Sequence, residues 1–371
     1  MDSLPIDVLS HMFSFIKREK SNWLSVKLTC KRFLRASKKS FDPSFDDNWA
    51  IKQASGNGHL ESVKELLRDV RVDPSADDNY AIQWASNNGH LEVVKELLND
   101  IRVDPSADDN YAIQWASNNG HLEVVKELLR DVRVDPSAHN DRAIERASEN
   151  GHSEVVKELL KDGRVDPCAE NNYAIRYASE NGHLEVVKEL LKDSRVDPSV
   201  CDNWAIRFAS ENGRSEVVKE LLKDMRVDPS ADDNYAIRCA SENDHLEVVK
   251  ELLKDSRVDP TARCNWAIRY ASDHGHLEVV KELLKNSRVD PSADNNHAIQ
   301  WASGNGHLEV VKELLKDKRV DPSAKDNWAI KWASGYGHLD VVKELLKDTR
   351  VHIQDAIIFI SRTKPRITND N

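Results

Sequence analysis

The sequence predicts an all-α fold, a helical solenoid of about ten two-helix units, with a partial capping unit at one end and a small helical module at the other. Three observations carry this reading. The chain repeats itself with a period of 31 residues from about residue 42 to residue 351. Each copy holds two short amphipathic segments separated by Asn-Gly or a close variant. One such hairpin cannot bury its own apolar face, so neighbouring copies must stack.

Within a copy, each element has a local cause. Asn79 (or Asp78) is placed to cap a helix carrying Ala81, Ile82 and Ala85 on one face. Asn88-Gly89 stops that helix, because Gly adopts the left-handed conformation a C-cap requires. The second helix is expected to bury Leu91, Val94, Leu97 and Leu98 and to leave Glu92, Lys95 and Glu96 in water. Asp104-Pro105 is expected to end it and begin an extended connection. With helices ~8–10 Å apart, ten units would extend very roughly 100 Å.

Composition narrows the function classes. Charged residues make up 32% of the 371 and the net charge is −11, which argues against general nucleic-acid binding. Residues 1–41 carry a net charge of +6, leaving −17 for residues 42–371. Five cysteines without CxxC pairing fit a reducing compartment, and no apolar run approaches the ~20 residues of a membrane span. A cytoplasmic or nuclear monomer without a cofactor is expected. No copy offers a nucleophile with a base, a phosphate-cradling loop or a convergent acidic pair, so an enzyme is not expected.

The segment G-H-L-E-V-V-K, with Tyr80-Ala81-Ile82-Gln83-Trp84-Ala85-Ser86 before it, resembles the ankyrin repeat over more than four-fifths of the chain. The family pattern is T-P-L-H-x-A-A-x-x-G-H-L-E-V-V-K-x-L-L, with a usual period of 33. Here the Thr-Pro-Leu-His start is replaced and two residues are missing before the first helix. The resemblance implies shortened or absent β-fingers, and partner docking on a concave face lined by the first helices.

Several columns of the repeat invite a functional reading. Nine histidines share one position (His90 and its equivalents), which is expected to supply a capping or inter-repeat hydrogen bond rather than metal ligands. A ring column runs Trp84, Trp115, Tyr177, Phe208, Tyr270, Trp301 and Trp332. Its rings either pack between repeats or anchor a partner. Arg176, Arg207, Arg238 and Arg269 precede Glu180, Glu211, Glu242 and Asp273 by four, giving self-paired i,i+4 ion pairs. The residue after Pro-Ser-Ala or its variants changes chemistry from copy to copy: Asp77, Asp108, His139, Glu170, Cys201, Asp232, Arg263, Asp294, Lys325. Such scatter marks a solvent-facing turn and a candidate specificity edge. Unit four breaks both ring columns with Arg142 and Arg146 and adds Glu145, and Asp244 stands where nine copies have Gly.

The two ends differ from the repeat. Ala356-Ile357-Ile358-Phe359-Ile360-Ser361 aligns with Ala329-Ile330-Lys331-Trp332-Ala333-Ser334 and reads as a cap within residues 352–364, before a polar, disordered tail at 365–371. Residues 1–41 match no repeat. Leu4-Pro5-x-Asp7-Val8-Leu9, Met12-Phe13-x-Phe15-Ile16 and Leu28-Thr29-Cys30-Lys31-Arg32-Phe33 resemble an F-box, with Asp7 for the usual Glu. The resemblance implies that Leu4, Pro5, Val8, Leu9, Met12, Phe13, Ile16, Leu28, Cys30 and Phe33 dock a Skp-type adaptor of a cullin-based ubiquitin ligase. The stack would then present a target protein for modification. The order of segments also resembles proteins of amoebae and their large DNA viruses, which implies turnover of host proteins. The alternative is a scaffold that binds or masks a partner while residues 1–41 act only as a lid.

Overall fold

A computed structural model describes residues 44–352, so the module at 1–41 lies outside the described residues, as do the cap from residue 353 on and the tail. Among the described residues there are twenty helices and no strand, arranged as ten helix–turn–helix units. Two compact groups are distinguished, residues 44–174 and 175–352. In each, first helices pack on neighbouring first helices, second on second, and first helices on their own partners, as Ala76–Asn87 does on Leu91–Leu98.

The unit of Ala76–Asn87 and Leu91–Leu98 shows the local causes. Asp77, Asp78 and Asn79 all lie in the left-handed region, with φ of 59°, 52° and 64°. The β-finger, expected to be shortened or absent, is absent among the described residues; this left-handed turn takes its place, and right-handed helix starts at Tyr80. Asn79 therefore stands at the helix start as expected, but its side chain does not cap the helix. Its Oδ1 accepts the backbone N–H of Asp104 at 2.7 Å. The same bond joins Asn48 to Asp73, Asn110 to Asp135, Asn203 to Asp228 and Asn234 to Asp259. Asp141 makes it in unit four, which shows that the requirement is an acceptor.

The first helix ends as expected. Gly89 has φ of 74°, its N–H donates to Ser86, and the His90 N–H reaches back to the Ala85 carbonyl at 2.9 Å, a Schellman-type closure. A second reason for Gly is the next unit's histidine. A Cβ on Gly89 would sit 2.6 Å from His121 Nδ1. Asp244 takes the same backbone at φ 62°, an angle Asp tolerates better than most residues do.

The second helix is shorter than the sequence implies and buries a different arc. It stops at Leu98, and Val93, Val94 and Leu97 are the buried residues, while Leu91 and Leu98 are half-buried. Packing against its own first helix and against neighbouring second helices moves the apolar centre to Val93 and Val94. The extended connection expected at Asp104-Pro105 is a run of turns. Asp100 accepts the Arg102 N–H and binds its guanidinium through both carboxylate oxygens, and Arg102 Nη1 donates to the Val72 carbonyl of the preceding unit at 2.6 Å. This pair holds the Asp100 carboxyl below its ordinary range, through the hydrogen bonds and charge of Arg102. Asp104 then closes a turn by accepting both the N–H and the hydroxyl of Ser106.

The histidine column bonds across units. His90 Nε2 meets the Gly56 carbonyl at 3.0 Å, His121 that of Asn87 and His276 that of Glu242. Where Arg214 replaces histidine, its Nε donates to the Glu180 carbonyl. Burial does the rest. Ala81, Ile82, Ala85, Val94 and Leu97 are fully buried, each large side chain contributing about 2 kcal/mol.

The acceptor requirement is testable. Replacing Asn110 with Leu strands the Asp135 N–H and should cost about 1–3 kcal/mol, read as a lower urea midpoint. Asn110→Asp should keep most of the stability. Equal loss in both variants would show that the bond is not what the column supplies.

Candidate protein-binding surface

The left-handed turns and the half-buried rings of the first helices recur together in each group as a strip of candidate contact residues. The variable residues Asp77, Asp108, His139, Glu170, Cys201, Asp232, Arg263, Asp294 and Lys325 take the first left-handed position, with φ between 49° and 59°, and all are exposed. Several are engaged within the chain. Lys52 Nζ lies 3.2 Å from Asp77, Arg207 Nη2 lies 2.8 Å from Asp232 Oδ2, and Arg269 pairs with Asp294. Glu170 accepts from Asn140 at 2.7 Å, Arg263 lies 3.0 Å from Asp233, and Lys325 sits 5.2 Å over the Trp328 ring.

Rings line the adjoining helices. Trp84, Trp115, Tyr177, Phe208, Tyr270, Trp301 and Trp332 are all half-buried. They pair with the ring one turn earlier, as in Tyr80 with Trp84 at 5.3 Å, Tyr111 with Trp115 at 5.4 Å, Trp204 with Phe208 and Trp266 with Tyr270 at 4.0 Å, His297 with Trp301 at 5.2 Å and Trp328 with Trp332 at 5.3 Å. Others bridge units, Tyr177 to Trp204 and Trp301 to Trp332. His297 keeps a neutral ring in this row. Burial and the Arg269 charge lower its pKa to about 4.

The arginines do not pair with the acids four residues on. Arg207 Nη1 donates to the Asp202 carbonyl, Arg238 Nε to that of Asp233 and Arg269 Nη2 to that of Arg263. Two causes combine. Helical side chains lean toward the N-terminus, and the left-handed turn leaves carbonyls without helical partners. Gln83, Gln114 and Gln300 serve the same carbonyls at 2.6 Å. The guanidinium groups also lie between rings, Arg176 5.2 Å from the Trp204 centroid and Arg207 4.7 Å from that of Tyr235. The acids take ring donors from the next unit instead, Glu211 from the Tyr235 hydroxyl at 2.7 Å and Glu242 from Trp266 Nε1.

Unit four interrupts this order. Arg146 pairs with Glu149 at 3.0 Å. Glu145 takes the place of the glutamine, buried to 5% exposure, and an ionised carboxylate has no proton to give the turn carbonyl. Burial raises its pKa from 4.5 to about 7, against the opposing charge of Arg142.

One exposed feature has no counterpart in the sequence reading. Val70, Ile101 and Val132 stand 94%, 94% and 93% exposed between the Asp and Arg of successive turns. The column is apolar in the first three copies and again at Met225, also exposed, and is Gly163, Ser194, Ser256, Ser287, Lys318 and Thr349 elsewhere. The residues that the F-box resemblance implies for adaptor docking, Leu4 to Phe33, lie outside the described residues. Among the described residues no helix is long and apolar enough to cross a membrane.

A family model described as ankyrin repeats, three copies long, matches residues 49–140, 83–171, 135–202, 175–264 and 266–355. No curated protein matches the chain. The chain belongs to the ankyrin-repeat family, whose repeats are in general non-catalytic scaffolds for protein–protein interaction.

Glu145 gives a pH signature. Because its folded pKa is raised, its contribution is present below pH 4.5 and is lost as pH rises through about 7. Glu145→Gln should therefore stabilise the protein at pH 8 by on the order of 2 kcal/mol, and by much less at pH 4. Equal urea midpoints for variant and wild type at pH 8 would count against this account.

Proposed function

We propose that this ankyrin-repeat chain recruits a target protein through its turn-and-first-helix strip and delivers it to a ubiquitin ligase through residues 4–33. In this reading residues 1–41 form the docking module, 42–351 the recruiting array, 352–364 its cap and 365–371 a tail. The observation that supports recruitment is the contrast between frame and edge. The Asn79, Arg102 and His90 columns tie unit to unit, while the exposed turn residues vary in charge from copy to copy. Invariant bonding with a variable rim is what a binding scaffold needs. The candidates for contact are the variable turn residues, Arg146 and the half-buried rings from Trp84 to Trp332.

The delivery half is supported by the resemblance of Leu4-Pro5-x-Asp7-Val8-Leu9 and Cys30-Lys31-Arg32-Phe33 to an F-box. Its mechanism is proximity. Binding one protein and one adaptor on a single chain raises the target's local concentration beside the transfer enzyme, with no residue of this chain doing chemistry.

Co-purification with a Skp-type adaptor tests delivery directly. Wild type should retain the adaptor and a Leu4→Ala/Pro5→Ala/Leu9→Ala variant should lose it, with both giving the same helical circular-dichroism signal. A folded wild type that never retains the adaptor would leave the scaffold reading, in which the target is bound and not modified.

A further inference from the structure

We propose that the junction of units two and three, at Asp108 and Tyr111, receives one arginine or lysine side chain of a protein partner. The proposal rests on the strip being the target-binding edge and is independent of the adaptor-docking segment.

It comes from comparing junctions within the chain. At three junctions the residue four positions into a right-handed helix meets the first left-handed residue of the next unit, 25 positions on. Three junctions of opposite charge close on a cation. Lys52 lies 3.2 Å from Asp77 and 5.9 Å from the Tyr80 ring centroid. Arg207 lies 2.8 Å from Asp232 and 4.7 Å from the Tyr235 ring. Arg269 closes on Asp294. Carboxylate and ring in this relation form a clasp for a cation, by charge on one side and the ring face on the other.

The Asp108 junction has the clasp without the cation. Asp108 and Tyr111 stand four repeats before Asp232 and Tyr235, but the cation's position belongs to Gln83. Gln83 is neutral, and its amide turns back to the Asp78 carbonyl at 2.6 Å. Asp108 is exposed and makes no ion pair among the described residues, and neighbouring Asp109 approaches only His139, at 4.0 Å. Tyr111 stays half-buried against Trp115. Asp77, Asp78, Asp108 and Asp109 place four carboxylates on two adjacent turns, with Lys52 the one cation paired to them among the described residues. The other junctions differ. At the same 25-residue offset Gln114 precedes His139, Glu145 precedes Glu170, Arg176 precedes Cys201, Arg238 precedes Arg263 and Gln300 precedes Lys325, so each pair lacks the acid or already holds a charge. Charge complementarity thus selects a basic segment of a protein, with one guanidinium or ammonium entering beside Tyr111.

The test uses the full chain at physiological salt and a fluorescein-labelled peptide of nine arginines, beside its neutral nine-citrulline analogue. Asp108→Asn should weaken arginine-peptide binding at least fivefold. Gln83→Arg should do the same by placing the chain's own guanidinium where Arg207 has it. Glu154→Gln, which removes an exposed carboxylate from a second helix, should change binding less than twofold, and the citrulline peptide should not bind. The proposal is overturned if Gln83→Arg binds like wild type, or if Glu154→Gln weakens binding as much as Asp108→Asn, since either result means diffuse attraction to an acidic chain. Gln83→Arg should melt no lower than wild type, which keeps the test valid if Asp108→Asn folds poorly. Adaptor co-purification is unaffected by all these variants, so the two readings fail separately.

Discussion

Three consecutive left-handed residues at the start of nine of the ten units are the constraint on which the remaining structure depends. For residues other than glycine, each such conformation costs on the order of 1–2 kcal/mol. The turn persists because both of its ends are bonded. The buried Asn79 side-chain oxygen Oδ1 accepts the Asp104 N–H, and a donor four residues into the helix, glutamine or arginine, holds the Asp78 carbonyl or its equivalent. Asp and Asn recur at these positions because they tolerate the conformation best. The first left-handed position is the exception. It accepts Glu170, Arg263 or Lys325, which places diverse side chains at an exposed turn.

This constraint also explains which parts of the molecule were legible in the sequence. The period, the first helix and the Asn-Gly stop follow from apolar spacing and glycine's backbone freedom and stand where expected, whereas the second helix ends early, at Leu98, and buries Val93 and Val94. The turn itself was hidden, because Asp-Asn before a helix reads equally well as an N-cap. The partners of Arg207 and Arg238 were misread for a related reason. The i,i+4 rule presumes an ordinary helix with no competing acceptors, and here the turn carbonyls compete and win. The Asp100–Arg102 pair was legible in principle, since Arg stands before Val in all ten copies and an acid two residues earlier in nine.

Cohesion between units is divided among chemically different contacts. His90 and Arg102 bond to carbonyls of the preceding unit, the rings stack, and the fully buried Ile82 and Leu97 exclude water. The frame is thereby insulated from the rim. Exchanging Asp for Lys at a turn leaves the histidine, asparagine and arginine columns in place. A strip of this kind can change its charge pattern copy by copy while the stack keeps one geometry.

The junction pairs also mean that nearly identical copies are not interchangeable. Repeats this alike invite unequal exchange during replication, and losing one 31-residue copy would leave each surviving hairpin intact. The seam would still record the event. Removing residues 232–262 would set Arg207 against Arg263, two cations where a cation and an acid now meet. Copy order is therefore a form of memory, written in the charges at the seams and open to selection on the length of the array.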